Sequence, residues 1–486
     1  MRSVQFNATA FRRPNVAEHS FNLPRHRTSR LGSVTVLGLI AAIVFSALAF
    51  GSVEVWAMTV LESLTVGLIG LWITKSILDR RIHVVIPGAL LPVAGLVCWG
   101  LIQGIAISSS GARKSMSMDV EASRVAAISM FFLLVLALTA GNCFIGKQRL
   151  QHLATFFAFY GLALAVFALI QSFTWDGAFY WLRPTRATGF GPFANRDHFA
   201  GYLEMLIPFP AALMATGSIP RERRLAYGFA AAMMIIAIIA SLSRGGMLSV
   251  AAEGVFITVW SRSRSRLTSS ARFRGVKGAY GFRRALRAGL IVLTFCAVSA
   301  LGIAWIGADP ILNKAAQTLT DIQDSQNHIS RQWIWSDTWA MIKAHPIVGV
   351  GLGAYETVYP MYSHSNGRMI VAQSHNDYLQ IMADCGIVGA VFLILFLAAL
   401  YGAMRRALRV EDRQMSGIAL ACSAAVIGLL IHSLFDFNLQ IPSNALLFLF
   451  VTMMLSNVPA AASGRSRFQV YRQVDQESPI PVLAGV

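Results

Sequence analysis

Apolar runs long enough to cross a bilayer recur along this chain from residue 33 to residue 458, and that pattern dictates its solvent. A hydrocarbon core of about 30 Å needs about 20 apolar residues in a helix that satisfies its own backbone. The composition agrees, with 55% hydrophobic and 13% charged residues, against about a quarter charged in a soluble domain. The expected fold is an all-α polytopic membrane protein with about twelve transmembrane helices. They are placed near 33–51, 54–74, 84–107, 122–145, 152–173, 198–217, 225–241, 246–260, 288–307, 385–404, 417–435 and 442–458.

Charge sets the orientation. The net charge of +18 is concentrated in alternate connections. The N-terminus, 75–83, 146–151, 218–224, 261–287, 405–416 and the C-terminus together hold 30 of the 41 Lys and Arg. Positive residues stay inside, so both termini are expected in the cytoplasm. The organisation expected is a basic cytoplasmic N-terminus (1–32), nine helices with short loops (33–307), a large, mostly helical periplasmic loop (308–384), three further helices (385–458) and a cytoplasmic tail (459–486). The first 30 residues lack an apolar core, so no cleavable signal is expected. The basic run at 261–287 reads as a loop facing anionic lipid headgroups, not as a nucleic-acid site. Five scattered cysteines without a CxxC predict neither a disulfide framework nor structural zinc.

Polar residues that interrupt so apolar a chain need a reason. Arg244, in "SLSRGGMLS", sits between two apolar runs with almost no linker. It either snorkels to the outer surface or binds an anion there, and its flanking glycines allow close approach. Arg183, Arg186 and Arg196 lie in an outer loop in which Asn195 or Asp197 can cap the next helix. Arg331 opens an amphipathic stretch that Pro346 stops. Arginine holds phosphate by paired N–H bonds and keeps its charge. "SHND" places His375 beside Ser374, Asn376 and Asp377 just ahead of an apolar run. One reading is a helix cap with His375 as a neighbour; the other uses the imidazole as a proton acceptor near neutral pH. His432 and Asp436 are four apart, a spacing that predicts a shared helical face and a local hydrogen bond. "GVGLG" at 349–353 has no following Lys-Ser/Thr and is not a nucleotide loop. No HExxH, zinc-type spacing or GxSxG occurs.

Taken in order, "GFGPFANRDHFAGYLEMLIPF", "SLSRGG", "RQWIWSDTWAMIKAHPIVGVGLGAYETVYPMY" and "SHNDYLQIMADCGIVGA" resemble the bacterial O-antigen ligase and O-antigen polymerase superfamily. "HSLFDFNLQIPSNALLF" extends the likeness to about residue 447. The resemblance implies a metal-independent glycosyltransferase without cofactors. Its donor is an undecaprenyl-pyrophosphate-linked glycan, and its acceptor is a glycan, lipid A core or protein; membrane lipids are partners and nucleic acid is not. It implies catalytic roles for His375, Arg244 and Arg331. Pyrophosphate or glycan contacts are expected from Arg186, Arg183, Arg196, Asn195, Asn376, Asp377, His432 and Asp436, with no metal site. The sequence departs from the family pattern at Asp384, where Glu is frequent, and the shorter carboxylate can still act as a cap or partner. Competing readings are a transporter or flippase for lipid-linked glycan or a small anion, kept open by Glu62, Glu204 and Glu253 within spans, and a noncatalytic assembly scaffold.

Overall fold

The computed structural model describes residues 30–79, 84–109, 112–185, 189–272, 331–364 and 370–464. The chain is mostly helical, with almost no sheet. Among the described residues, eight helices are long and apolar enough to cross a membrane. The expected run at 288–307 and the first part of the expected large loop lie outside the described residues.

The helices are α1 (Arg30–Leu48), α2 (Val55–Leu78), α3 (Leu90–Gln103), α4 (Val120–Cys143), α5 (Lys147–Phe173), α6 (Arg196–Glu204), α7 (Pro208–Ala215), α8 (Arg224–Ser241) and α9 (Arg244–Arg272). They continue with α10 (Arg331–Ala344), α11 (Tyr355–Val358), α12 (Asp377–Leu408), α13 (Arg413–His432) and α14 (Pro442–Ser463). A short ribbon pairs Ala106–Ser109 with Ala112–Ser115 after α3. The apolar run expected at 84–107 therefore narrows to a shorter helix. The run expected at 198–217 is broken in two, because Pro208 begins α7 and supplies no N–H to continue α6.

α13 and α14 form the buried centre. Gly417, Ala421, Ser423, Ala424, Ala425 and Gly428 line α13 with small side chains. Such residues let neighbouring backbones approach closely, which is how helices bind one another in lipid. α13 packs against α7, α9 and α14.

The connections fall into two mutually contacting sets. At one end Lys147 Nζ meets Asp412 at 2.6 Å, Arg264 Nη1 donates to Leu408 O at 3.1 Å, and Arg413 Nε donates to Thr216 O at 3.0 Å. At the other, Gln103 Nε2 donates to Val348 O at 2.7 Å, Met118 N–H to Val350 O at 2.9 Å, and Thr357 Oγ1 to Asp119 at 2.8 Å. The second end carries a lobe built on α10 and α11. Its core is Ile334, Met341, Val350, Ala354, Tyr355, Val358, Tyr359 and Ala383.

A close interlock joins this lobe to α12. The helix starts at Asp377, eight residues ahead of the expected span, and is kinked at Gly386, with φ 60° and ψ −148°. The Gly-rich run fits into the kink. Val350 N–H donates to Ala383 O, Gly351 N–H to Asp384 O and Ile387 N–H to Pro346 O, each at 2.9 Å. A Cβ on Gly349 would lie 2.4 Å from the Asp384 backbone, and one on Gly386 would lie 2.4 Å from Ile347 O. No side chain fits at either place. Asp384 is buried, and its carboxylate accepts from Gly353 N–H at 3.1 Å and Gln380 Nε2 at 3.3 Å. Its carboxylate is thus a partner for the lobe backbone.

Candidate functional site

His375 lies just before α12 with φ 52°, a left-handed conformation that costs a residue with a Cβ about 1–2 kcal/mol. Its neighbours hold it there. Ser374 N–H donates to Gln380 Oε1 at 2.7 Å, and Ser374 Oγ donates to Asn376 O at 2.8 Å. Asn376 is the helix cap: its Oδ1 accepts from Tyr378 N–H at 3.0 Å and Leu379 N–H at 3.1 Å. Its amide donates to Leu434 O at 3.0 Å. Asp377 is buried and ties the same helix start to the α13–α14 turn. Its Oδ2 accepts from Ser433 Oγ at 2.7 Å and Leu439 N–H at 3.1 Å. Asn376 and Asp377, both expected as substrate contacts, are engaged in these fastenings.

The imidazole itself faces Asp436. His375 Nδ1 lies 3.1 Å from Asp436 Oδ1, which also accepts Phe437 N–H at 3.0 Å. A carboxylate can only accept, so Nδ1 carries the proton and donates it, leaving Nε2 as the basic nitrogen. Asp436 is 1% exposed. Burial would raise its pKa. The His375 hydrogen bond and the charges of His198, His432 and Arg331 outweigh burial and hold the carboxyl well below the usual carboxylate range. His375 keeps 29% of its side chain exposed, so the Asp436-held imidazole can still meet another molecule. Phe437 stands edge-on between two imidazoles, with centroids 4.9 Å from His375 and 4.6 Å from His198.

The expected His432–Asp436 bond is not made. α13 ends at His432, whose carbonyl is shared by Phe435 N–H at 2.8 Å and Asp436 N–H at 3.0 Å in a tightened turn. Helical spacing therefore stops governing the side chains. His432 Nδ1 instead faces Glu204 Oε2 at 2.9 Å, with both residues buried. Glu204 and His198 were outside the sequence-based site. Glu204 had stood out as a carboxylate within an apolar run; Asn195, which caps α6 by accepting Asp197 N–H at 2.8 Å, fixes both residues on one short helix.

The arginines divide. Arg244 is the first residue of α9 and is exposed. The next residue, Gly245, lies against His432: a Cβ there would be 2.5 Å from the imidazole Nε2. Arg331 opens α10, with Nη2 3.8 Å from Asp197 Oδ2, a loose and partly exposed pair. One turn on, Trp335 Nε1 donates to Ser374 O at 3.0 Å, which fastens α10 to the residue before His375. Arg183 is held elsewhere, 2.7 Å from Glu54 and 4.8 Å over the Phe50 ring. Arg196 is the first residue of α6, half-buried and without an ion pair among the described residues. Arg186 lies outside the described residues.

The arrangement offers an anchored imidazole whose Nε2 makes no hydrogen bond among the described residues, and guanidinium groups at the starts of α6, α9 and α10. Such a set can take a proton from a hydroxyl and hold an anion. Residues 229–394 match the family model described as O-antigen ligase. The match includes Arg244, Arg331, His375 and Asp384, while His198, Glu204, His432 and Asp436 fall outside it. No curated protein matches the chain.

Proposed function

We propose that this chain, a member of the O-antigen ligase and O-antigen polymerase superfamily, transfers an undecaprenyl-pyrophosphate-linked glycan to an acceptor hydroxyl at the periplasmic face of the inner membrane. The family places it in surface-polysaccharide assembly, and its apolar helices make it a membrane protein. The observation that carries the reading is the His375–Asp436 pair: an imidazole oriented by a buried carboxylate, with α10 fastened next to it through Trp335 and the start of α9 resting on His432.

In this mechanism the donor's lipid lies between helices with its pyrophosphate at the starts of α9 and α10. Arg244 and Arg331 balance the phosphate charge as it grows on the leaving group. The acceptor hydroxyl gives its proton to His375 Nε2 while its oxygen bonds to the anomeric carbon. The bond from that carbon to the pyrophosphate breaks, and undecaprenyl pyrophosphate leaves. Attack opposite the leaving group inverts the anomeric centre. Asp436 stabilises the imidazolium formed at His375. The donor supplies the energy, so neither a nucleotide nor a metal is called for.

The test is purified protein with lipid-pyrophosphate glycan and acceptor. A new glycosidic bond and released undecaprenyl pyrophosphate are expected, and His375→Ala should abolish both. Normal product from folded His375→Ala would refute the role. Glycan sizes in a deletion strain separate the family's two activities: loss of long chains marks a polymerase, and long chains retained on the carrier mark a ligase. A carrier reading draws on Glu253, buried in α9 against Gly428 and with no hydrogen bond to either oxygen among the described residues. Movement of lipid-linked glycan across proteoliposomes without bond formation would favour it.

A further inference from the structure

The Glu204–His432 pair sits in the interior, 1% exposed or less, and joins the ends of α6 and α13 across 228 residues of sequence. Buried ion pairs contribute little net stability, because desolvation offsets the attraction; apolar residues would hold two helices as well. What such a pair does supply is a fixed geometry. The other edge of the His432 imidazole meets Gly245, at a separation where no Cβ fits. Gly246 also lies against α6, where a Cβ would be 2.7 Å from the Ala200 methyl. The first turn of α9 therefore rests on the imidazole and on α6 together. His432 also opens the α13–α14 turn, and other residues of that turn serve the His375 segment: Ser433 and Leu434 accept from Asp377 and Asn376, and Asp436 faces His375 itself.

We infer that Glu204 and His432 are positioning residues for the donor: Glu204 fixes the His432 ring, and the ring sets the height and direction of the Arg244 turn that meets the diphosphate. The inference rests on the proposed role of Arg244. Glu204 anchors the ring through a hydrogen bond, so an uncharged acceptor of the same shape preserves the device. An apolar residue loosens it, and a methyl on Gly245 pushes the ring from the opposite side. The two branches of the turn are separable: this one acts on donor binding, whereas Asp436 acts on proton transfer.

The experiment measures binding of undecaprenyl pyrophosphate to purified protein, together with the transfer rate at saturating donor, in Glu204→Gln, Glu204→Leu and Gly245→Ala. Thermal unfolding identifies the folded variants. Glu204→Leu and Gly245→Ala should each weaken donor binding about tenfold, equivalent to losing about one good hydrogen bond. Glu204→Gln should stay within about threefold of the natural protein, and the saturated rate should change less than about threefold in all three. Unchanged donor affinity in either folded Leu or Ala variant overturns the inference, as does a loss confined to the saturated rate. A natural protein that binds the diphosphate but forms no glycosidic bond refutes the transferase and leaves the positioning role standing. One that does not bind the diphosphate overturns both.

Discussion

Asp436→Asn is the sharpest test of the proposed chemistry, because the substitution removes a charge without removing an acceptor. Asp436 Oδ1 takes both hydrogen bonds, from His375 Nδ1 at 3.1 Å and from Phe437 N–H at 3.0 Å. An asparagine with its oxygen in that place accepts both, so ring position and tautomer survive. What goes is the negative charge facing the imidazolium that forms in the transition state. Hydrogen bonds to a charged partner contribute about 1.5–3 kcal/mol. The ring is 29% exposed, and solvent screening argues for the lower part of that range. A loss of about 2 kcal/mol lowers the rate about thirtyfold. Single-turnover transfer from labelled donor measures it, with donor binding as the control that should not move. Asp436→Ala should cost more, and should also lower stability by about 1–3 kcal/mol, since it strips the acceptor from a buried N–H. A folded Asp436→Asn protein with natural rates would refute the proton-transfer assignment. So would a loss of donor affinity that accounts for the whole effect.

Four further outcomes are expected. Arg244→Lys should weaken donor binding about tenfold or more, because an ammonium cannot make the paired bonds of a guanidinium; unchanged affinity in a direct binding assay would remove Arg244 from the phosphate. Gly386→Ala should destabilise by about 2 kcal/mol or more, combining a conformation reserved for glycine with a Cβ 2.4 Å from Ile347 O, seen as a lower unfolding midpoint in detergent. Asn376→Ala should cost about 1 kcal/mol from the lost cap and loosen the tie to Leu434, with an accompanying fall in transfer rate. The Asp436 carboxyl is held below its ordinary range, so its contribution to stability is complete above pH of about 4 and disappears as the carboxylate is protonated below that. The gap in unfolding midpoint between the natural protein and Asp436→Asn should therefore narrow as pH falls below about 4.

What the sequence discloses and what it hides divides along the range of the interactions. Apolar runs near 33–51, 122–145 and 442–458 became α1, α4 and α14 within a few residues, because burial in lipid depends on local composition. Asn195 as a cap was equally local. The helix start at Asp377 was legible as one reading, a cap at Ser374 or Asn376, and Asn376 makes it; hidden were its continuity with the span and the partners of Asp377 and Gln380, Ser433 and Ser374. The broken helix at Met205–Ile207 was masked by unbroken hydropathy across Pro208. At the site, His375 and Arg331 stand out by type and neighbourhood. Their supports do not. Glu204 meets His432 and Asp436 meets His375 only through the packing of α6, α12 and α13, and Asp436 was assigned the nearer, wrong imidazole because α13 was read past His432 to residue 435.

The seam where Gly349 and Gly386 meet has an evolutionary corollary. Two surfaces that exclude even a methyl group cannot drift independently, and Gln103 of α3 stitches both with one amide. Domain grafting between homologues that transplants residues 331–364 alone would leave a mismatched joint. The heritable module is the lobe, the bent helix beneath it and the glutamine between, and viable recombination should carry all three together.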